Sequence, residues 1–487
     1  MRFILLLMLL STSSSLNAQP SLSKHQMKED ISFLATTIKD VCPHLRIREH
    51  VTGVCLTKSI DSLVQIANKC QDFENFYYLV QQILFLTQDQ HNVISSFYYA
   101  DLEEDNPTIT EQSLELGALC EMDYVKYHPA GALLVEYSDG RYYFGNDQYH
   151  TNGKLAIPGR AELIAINNIP IKTYIEKYNR PVDNSIRWDF THDNFYTHRI
   201  YLPRDYGGTI SYKTEYDTLQ ITIQPFSIMS NRTVDAFDFN VFFDDEEKLL
   251  YIRIPSMDMD ELSFLTNEML AYKDETIAKV IIDIRGNGGG NDNFWIDVLR
   301  TIRSESISTK EKCYIRNTKA VLDYAQKYRN IEISDELVLY CEQEFVKISA
   351  DSTTTYEPAV ENLNYNGNIY AIVNDHCFSS ALAFSAFCNR NNGLITVGEP
   401  SGYIGGRGIT PFFFELPNSH LVFTLSPVLD ASYIEEPIDF YDHKVDVLVK
   451  QPLEEIVFER NLDHSTKRYS KSYLYKNDSV FKAVLSL

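Results

Sequence analysis

The sequence predicts an α+β multidomain protein, because three different hydrophobic patterns follow one another along its 487 residues. Residues 24–90 repeat apolar side chains at the spacing of amphipathic helices. Residues 95–245 alternate aromatic or β-branched residues with polar ones, as half-buried strands do. Residues 246–456 alternate continuous apolar runs with helical patterns, which is typical of a crossover α/β layer. The predicted parts are a leader at 1–18, a helical module at 19–94, a β-rich region at 95–245, an α/β domain at 246–456 and a C-terminal tail at 457–487.

Composition and charge exclude several classes of protein. Hydrophobic residues make up 44% of the chain and charged residues 23%, which is ordinary globular usage and enough to form buried cores. The chain has 67 acidic and 44 basic residues, a net charge of −23, and no clustered Lys/Arg stripe. Binding to nucleic acid or to an anionic membrane surface relies on basic residues, so we expect neither partner.

The N-terminus has the pattern of a secretory signal. Met1-Arg2 precedes an apolar run from Phe3 to Leu10, and the small residue Ala18 follows a Ser-rich stretch. The run is too short to span a bilayer, which needs about 20 apolar residues. A buried N-terminal strand or helix is the alternative interpretation. We expect an exported protein, periplasmic or extracellular, without membrane insertion.

An exported chain can form disulfides, and eight cysteines are present. Cys42 and Cys55 are candidates for a short disulfide loop, and buried thiols are the alternative. No C-x-x-C pair occurs, so a zinc knuckle or a thioredoxin-like motif is not indicated. His192 and His198 flank Asp193, but a solvated loop is favoured there over a metal site, and no cofactor is expected.

Two apolar stripes predict helices in the first part. Met27, Ile31, Leu34, Ile38 and Val41 form one stripe, and a second between Phe73 and Leu84 leads directly into Asp89-Gln90-His91. In the β-rich region, Gly159–Ile171 shows an apolar run, a polar Asn167-Asn168 turn and a second short apolar run. That order predicts a β-hairpin.

The α/β part is predicted from buried strands that are followed by turns and helices. The strands are expected at Leu249–Ile254, Val280–Ile284, Ile369–Asn374 and Leu394–Gly398, and helices near Asn291–Ile302 and at Ala381–Phe387. Residues 305–365 fit no simple unit and are interpreted as an insertion. The polar tail after about 460 is expected to be loosely held.

Two turns at the ends of these strands carry candidate chemistry. Arg285–Gly290 is rich in glycine, so its N–H groups can bind an anion at a phosphate site or an oxyanion hole, or it can be a plain tight turn. It matches no nucleotide-binding pattern. Ser379 and Ser380 lie at a strand-to-helix turn, where a nucleophile or an ordinary helix N-cap is expected. His91 is a candidate base.

Taken together, these segments resemble the family of tail-specific (C-terminal processing) and tricorn-core serine peptidases. The resemblance covers most of residues 25–455, and its most specific part is the "iiDlRgNgGG" pattern. The matching segments are Gln88–Asn92, Gly159–Ile171, Val280–Gly290, Val373–Ala381 and Thr396–Gly402. It implies a PDZ-like domain within 95–245 and a ClpP/crotonase-like catalytic domain.

The resemblance also implies roles for individual residues. Ser379 matches the family nucleophile, with Ser380 as the fallback, and the oxyanion donors would be the N–H groups of Ser380 and of Gly288 or Gly289. One branch of the family uses a Lys base in a G-K-G segment, where this chain has Arg407, which cannot lose its proton. The tricorn branch uses a His and a late Glu, which match His91 and Glu436, with Glu435 as the next choice.

The expected function is therefore that of an exported serine endopeptidase with a Ser nucleophile and a His base, acting on a peptide or protein. An inactive relative that binds peptides, as a scaffold, is the alternative. A hydrolase of another ester or of a glycan is a further class, although the G-x-S-x-G signature is absent around both serines.

Overall fold

The computed structural model describes most of the chain, in segments. They are residues 22–94 without 68 and 71, 109, 132–150, 152–180, 183–189, 191–202, 208–223, 228–230, 239–329, 331–333, 337–340, 343–348, 352–403, 411–441, 443–462 and 468–487. The predicted leader at 1–18 and the segment around Arg407 lie outside the described residues.

Helices occur at both ends of the chain and between strands of the α/β part. They are α1 (Lys24–Val41), α2 (His44–Thr52), α3 (Leu56–Ala67), α4 (Phe73–Phe85), α5 (Ile171–Tyr174), α6 (Met259–Leu270), α7 (Asp292–Ile302), α8 (Lys319–Arg329), α9 (Ser380–Cys388), α10 (Leu453–Arg460), α11 (Lys471–Asn477) and α12 (Ser479–Ser486), with a π-helix at Ile175–Asn179 and a 3-10 helix at Pro437–Phe440.

The strands of the first half form the β-rich region. They are β1 (Ala132–Leu134), β2 (Glu136–Ser138), β3 (Arg141–Tyr143), β4 (Gln148–His150), β5 (Leu155–Ile157), β6 (Glu162–Ile166), β7 (Ile169–Pro170), β8 (Arg187–Asp189), β9 (Asn194–Tyr196), β10 (Arg199–Tyr201), β11 (Gly208–Lys213), β12 (Thr218–Ile223) and β13 (Ile228–Ser230).

The strands of the second half form the α/β part and its additions. They are β14 (Asn240–Asp244), β15 (Leu249–Arg253), β16 (Lys279–Asp283), β17 (Ile307–Glu311), β18 (Cys313–Arg316), β19 (Leu337–Tyr340), β20 (Gln343–Lys347), β21 (Ser352–Tyr356), β22 (Ile369–Val373), β23 (Leu394–Gly398), β24 (Phe412–Glu415), β25 (Val422–Leu425), β26 (Val428–Asp430) and β27 (Val447–Leu448).

A six-stranded sheet, in the order β14–β15–β16–β22–β23–β27, forms the centre of the α/β part. Only β14 runs antiparallel to its neighbour, and the other pairs are parallel. Helices connect the parallel strands, with α6 between β15 and β16 and α9 between β22 and β23. The predicted crossover α/β layer is confirmed, and the carboxyl ends of β16 and β22 are neighbours at one edge of the sheet.

Both faces of this sheet are covered, which explains the continuous apolar runs. Side chains of β15 alternate between two buried clusters, with Leu250 and Ile252 against α6, α7 and α9, and Leu249 and Tyr251 on the opposite face. The opposite face is covered by α11 and α12 through Leu474, Val480, Phe481 and Val484. The prediction of a loosely held tail is wrong for residues 468–487, because its few apolar residues complete this layer.

The N-terminal helices and the predicted hairpin have the expected residues in place. Every residue of the first predicted stripe is buried on α1. The hairpin pairs β6 with β7 around Asn167-Asn168, both at positive φ, although Ile171 already belongs to α5. The predicted insertion at 305–365 contains β18, which pairs with β26, and α8, whose Val321 packs against the N-terminal helices.

The candidate disulfide loop between Cys42 and Cys55 is not formed. Both thiols are free, as are those of Cys70, Cys377 and Cys388. Cys42 instead packs as a buried apolar residue among the helices of the N-terminal module. No helix within the described segments has the length and apolar content needed to cross a membrane.

Candidate active site

Ser379 lies at a sharp turn between β22 and α9, where its backbone has φ 53° and ψ −123°. A non-glycine residue rarely adopts this conformation, which stores about 1–3 kcal/mol of strain. The turn is held by hydrogen bonds from both sides: Phe378 N donates to Asn287 O at 3.1 Å, and Ser401 Oγ donates to Cys377 O at 2.7 Å. The strain therefore persists because neighbouring segments fix the turn, and it projects the Ser379 hydroxyl from the end of the strand.

His91 connects this serine to a buried carboxylate. His91 Nε2 lies 3.0 Å from Ser379 Oγ, and Nδ1 lies 2.8 Å from Asp89 Oδ1. Because an ionised carboxylate only accepts hydrogen bonds, Nδ1 carries the proton and Nε2 is left to accept from the hydroxyl. The His91 ring stacks on Phe378 at 4.6 Å between centroids, and Thr424 Oγ1 donates to His91 O at 2.7 Å.

Asp89 is buried and charged. Burial alone would raise the pKa of this carboxyl, but electrostatic attraction to the His91 ring and the hydrogen bonds from that ring and from the His91 backbone hold the pKa below its ordinary value. Asp89 Oδ1 accepts both of those bonds, at 2.8 and 2.9 Å. Oδ2 has no hydrogen-bond partner among the described residues. The carboxylate therefore holds the His91 ring and backbone in a fixed orientation.

The glycine-rich turn after β16 packs directly on the turn that carries Ser379. A Cβ added to Gly289, which has φ +102°, would lie 2.7 Å from Ser379 Cβ and 2.9 Å from Ser380 N. Only glycine permits this approach. The N–H of Gly289 donates to Asn287 Oδ1 at 2.7 Å, so it is already engaged. Within the described segments, no acceptor is found for the N–H of Gly288 or of Ser380.

Asp283 and Arg285, the charged residues just before the glycine-rich turn, hold this turn in place through buried ion pairs. Asp283 contacts Arg285 through Oδ2 and Nη2 at 2.6 Å, and the same Nη2 lies 2.6 Å from Asp478 Oδ2 in the C-terminal segment. Burial would raise the pKa of Asp283, but the charges of Arg285 and Arg253 hold it below its ordinary value. The motif is therefore anchored to the covering helices on the far face of the sheet.

Two neighbours of Ser379 are not arranged as nucleophiles. Ser380 Oγ donates to Asp292 Oδ1 and is nearly buried. Burial raises the pKa of the Cys377 thiol to about 12, so this group stays protonated. Of the nucleophilic side chains in the turn, Ser379 alone contacts a histidine among the described residues.

Glu436 is not brought to His91. Its side chain is exposed, as is that of Glu435, and it begins the 3-10 helix, where its backbone N–H donates to Asp439. The carboxylate beside His91 is Asp89 instead, because a residue two positions earlier reaches Nδ1 within the same short loop. The Asp-x-His spacing was the available signal for this residue. No comparable signal indicated Asn287, Asp292, Phe378 or Thr424, which hold the site.

His192 and His198, the two histidines that flank Asp193 in the sequence, do not share one metal site, because they contact different carboxylates. His192 contacts Asp189, whereas His198 reaches Asp375 in the nucleophile turn. Together with His376, His198 and Asp375 form the one group of metal-binding side chains found among the described residues.

A serine hydroxyl in contact with a His–Asp pair, at a strand-to-helix turn beside unengaged N–H groups, is the arrangement typical of serine hydrolases. Residues 248–437 match the model of peptidase family S41, so the chain carries the domain of this family of serine peptidases. The family expected from the sequence is confirmed for residues 248–437, which form a serine-peptidase domain by this assignment.

Solved structures of CPAF share this fold over most of the chain. Mature CPAF has a TM-score of 0.58 at 12% identity, and the alignment covers 95% of this chain and 97% of CPAF. CPAF complexed with lactacystin has a TM-score of 0.57 at 13% identity, covering 95% of this chain and 98% of that one. The photosystem II D1 C-terminal processing protease has a TM-score of 0.40 at 11% identity, covering 90% and 98%. No curated protein sequence matches the chain significantly.

Proposed function

We propose that this protein is an exported endopeptidase that cleaves peptide bonds through an acyl-enzyme on Ser379, with His91 as general base and Asp89 as the carboxylate that orients it. The observation that carries the proposal is the continuous chain of contacts from Asp89 Oδ1 through His91 to Ser379 Oγ, at 2.8 and 3.0 Å. These are hydrogen-bond distances suited to proton transfer.

Each step uses the same proton path. Ser379 Oγ attacks the peptide carbonyl carbon while its proton passes to His91 Nε2, and the imidazolium is stabilised by Asp89. The proton then passes to the leaving amine nitrogen as the C–N bond breaks, which leaves an ester on Ser379. Water attacks this ester and gives a proton to His91, which returns it to Oγ as the acid product leaves.

The tetrahedral oxyanion would accept hydrogen bonds from the N–H groups of Gly288 and Ser380. Both groups flank the Ser379 turn, and Gly289 is assigned a different role because its N–H is engaged by Asn287. One oxyanion donor contributes about 3–4 kcal/mol of transition-state stabilisation.

We further propose that the 95–245 region contains a PDZ-like domain that binds an extended end of the substrate. Its main sheet follows the order β12–β11–β6–β3–β2, which leaves β12 and β2 at the edges. An extended peptide can add to such an edge through main-chain hydrogen bonds. Export rests on the leader at 1–18, and the N-terminal sequence of the protein recovered outside the cytoplasm tests it.

The test of the proposed activity is labelling with a fluorophosphonate probe followed by peptide mapping. We expect an adduct on Ser379 in the wild type and in Ser380→Ala, and none in Ser379→Ala or His91→Ala. Ser380→Ala is the matched control, because it removes the neighbouring hydroxyl and leaves the Ser–His contact in place. Circular dichroism establishes that each variant is folded.

Two results would replace this proposal. A folded wild type that forms no adduct on Ser379 would indicate an inactive relative that binds peptides. An adduct accompanied by turnover of small acyl esters, without cleavage of a peptide library, would indicate a hydrolase of another substrate class.

A further inference from the structure

A cluster of metal-binding side chains lies beside a cavity of about 280 Å³ that is formed by residues of both the β-rich region and the α/β part. The cluster consists of His198, which lies just before β10, and of Asp375 and His376, which follow β22. All three residues line the cavity. Neither Ser379 nor His91 is among the described residues that do so.

The three side chains converge on one point. Their ligand atoms lie within 4.8 Å of one another. His198 Nε2 is 3.0 Å from Asp375 Oδ2, His376 Nδ1 is 2.7 Å from Asp375 Oδ1, and the two imidazole centroids are 4.7 Å apart. Ligands about 2.0–2.2 Å from a tetrahedral ion are roughly 3.4 Å from one another. The contacts therefore need to lengthen by less than about 1 Å to admit an ion.

The environment of His198 directs its Nε2 at Asp375. Nδ1 faces two acceptors, Val135 O at 3.2 Å and Glu136 Oε2 at 3.6 Å, so Nδ1 carries the ring proton. His198 Nε2 lies 3.0 Å from a carboxylate oxygen of Asp375. Either a second ring proton or a metal cation can lie between these two atoms. Backbone and carboxylate acceptors commonly fix metal-binding histidines in this way.

Asp375 is also held in a fixed orientation. Arg187 Nη1 donates to Asp375 Oδ2 at 3.0 Å, and Tyr196 OH donates to the same oxygen at 3.4 Å. Arg187 is almost fully buried and stacks over the Tyr403 ring at 4.3 Å. A carboxylate has about four lone-pair sites, so the donors on Oδ2 leave room for an ion on Oδ1 and on the outer side of Oδ2.

We propose that His198, Asp375 and His376 bind one divalent first-row transition-metal ion of the zinc type, with a fourth coordination position open to the cavity. Two imidazole nitrogens and one carboxylate oxygen are the donor set that such an ion prefers. The ion replaces the proton between His198 and Asp375 and ties the β-rich region to the turn that ends at Ser379.

Metal titration of the full chain, after treatment with a chelator, tests this site. Zn²⁺ is followed by calorimetry, and Co²⁺ by the visible absorption of a tetrahedral complex that Zn²⁺ displaces. We expect one ion per chain, and a loss of affinity of at least about 10-fold in His198→Ala and in His376→Ala. The matched control is His192→Ala, because His192 contacts Asp189 at 2.8 Å and is exposed outside the cluster.

Binding is measured without turnover, so the result is independent of the proposed peptidase activity. Absence of a stoichiometric ion in the wild type, or unchanged affinity in His376→Ala, overturns the proposal and makes the cluster an imidazolium–carboxylate contact. His198→Ala removes a contact between two parts of the fold. If that variant does not fold, His376→Ala decides alone, since its side chain is partly exposed and lies at the cavity wall.

Discussion

Replacing Asp89 with asparagine isolates the charge that orients His91. The substitution keeps the size of the side chain and one oxygen, but it removes the negative charge 2.8 Å from His91 Nδ1. The amide can also present its NH₂ group to Nδ1, because Asp89 Oδ2 has no described partner that holds it in place. In that orientation the proton moves to Nε2, which then donates to Ser379 instead of accepting from it.

The expected loss follows from the distance between the charges. Two unit charges 2.8 Å apart interact by about 6 kcal/mol at an effective dielectric of about 20, and each factor of ten in rate is about 1.4 kcal/mol. Water and the amide dipole recover part of this energy. We therefore expect activation of Ser379 to fall by about 10³–10⁴-fold, the range known for loss of a triad carboxylate.

The rate constant of fluorophosphonate labelling measures this loss without knowledge of the substrate. Glu436→Gln is the matched control, because Glu436 is exposed and we expect its labelling rate to stay within about 2-fold of wild type. A folded Asp89→Asn that labels at the wild-type rate refutes the reasoning. So does a Glu436→Gln variant that slows labelling as much as Asp89→Asn does.

Three further changes test the site and its supports. Gly289→Ala is expected to abolish labelling, because its Cβ would lie 2.7 Å from Ser379 Cβ at a φ of +102°. Burial, and then Asp375, raises the pKa of Glu399 from 4.5 to about 7, so the wild type loses stability as pH rises through this window. Glu399→Gln is therefore expected to have a larger free energy of unfolding than wild type above pH 7, by at most about 3 kcal/mol, and a higher Tm, with the two pH curves converging below about pH 4.5. Asp478→Ala is expected to lower the free energy of unfolding in urea by about 3 kcal/mol, since it removes one partner of the buried Arg285 and the N-cap of α12.

Each of these variants has a matched control. Gly53→Ala keeps labelling, because a Cβ there meets no atom within 4 Å although the φ of this residue is +70°. Glu454→Gln and Lys482→Ala change exposed residues near the other two positions and leave the Tm and the urea midpoint within error. Normal labelling of Gly289→Ala would contradict the close contact between the two turns. A plot of Tm against pH for Glu399→Gln that runs parallel to that of wild type would contradict the raised pKa of Glu399. An unchanged urea midpoint in Asp478→Ala would contradict the stabilising role of its contact with Arg285.

The helices and buried strands follow from local patterns. The stripe on α1 and the runs at β15 and β16 need only the periodicity of the chain and the burial of both sheet faces. The tail was misjudged because its apolar residues are few and separated by polar ones. Their burial depends on a sheet face that is assembled from strands between β14 and β27, and these strands are widely separated along the chain.

Part of the candidate active site also follows from local sequence motifs, and part follows only from the tertiary structure. Resemblance of short motifs indicated Ser379, His91 and the glycine-rich turn, but it assigned the orienting carboxylate to Glu436 and left the oxyanion donor open between Gly288 and Gly289. The structure brings Asp89 to His91 and engages the Gly289 N–H with Asn287.

The sequence by itself determined the order of helical, β-rich and α/β parts and the residue types of a serine peptidase site. Only the tertiary structure decided which atoms meet. Ser379 and His91 lie 288 positions apart, and His198 reaches Asp375 across 177 positions. Such pairings depend on how strands and helices pack, and differences of an ångström or so decide which group donates to which. No local pattern encodes distances of that kind.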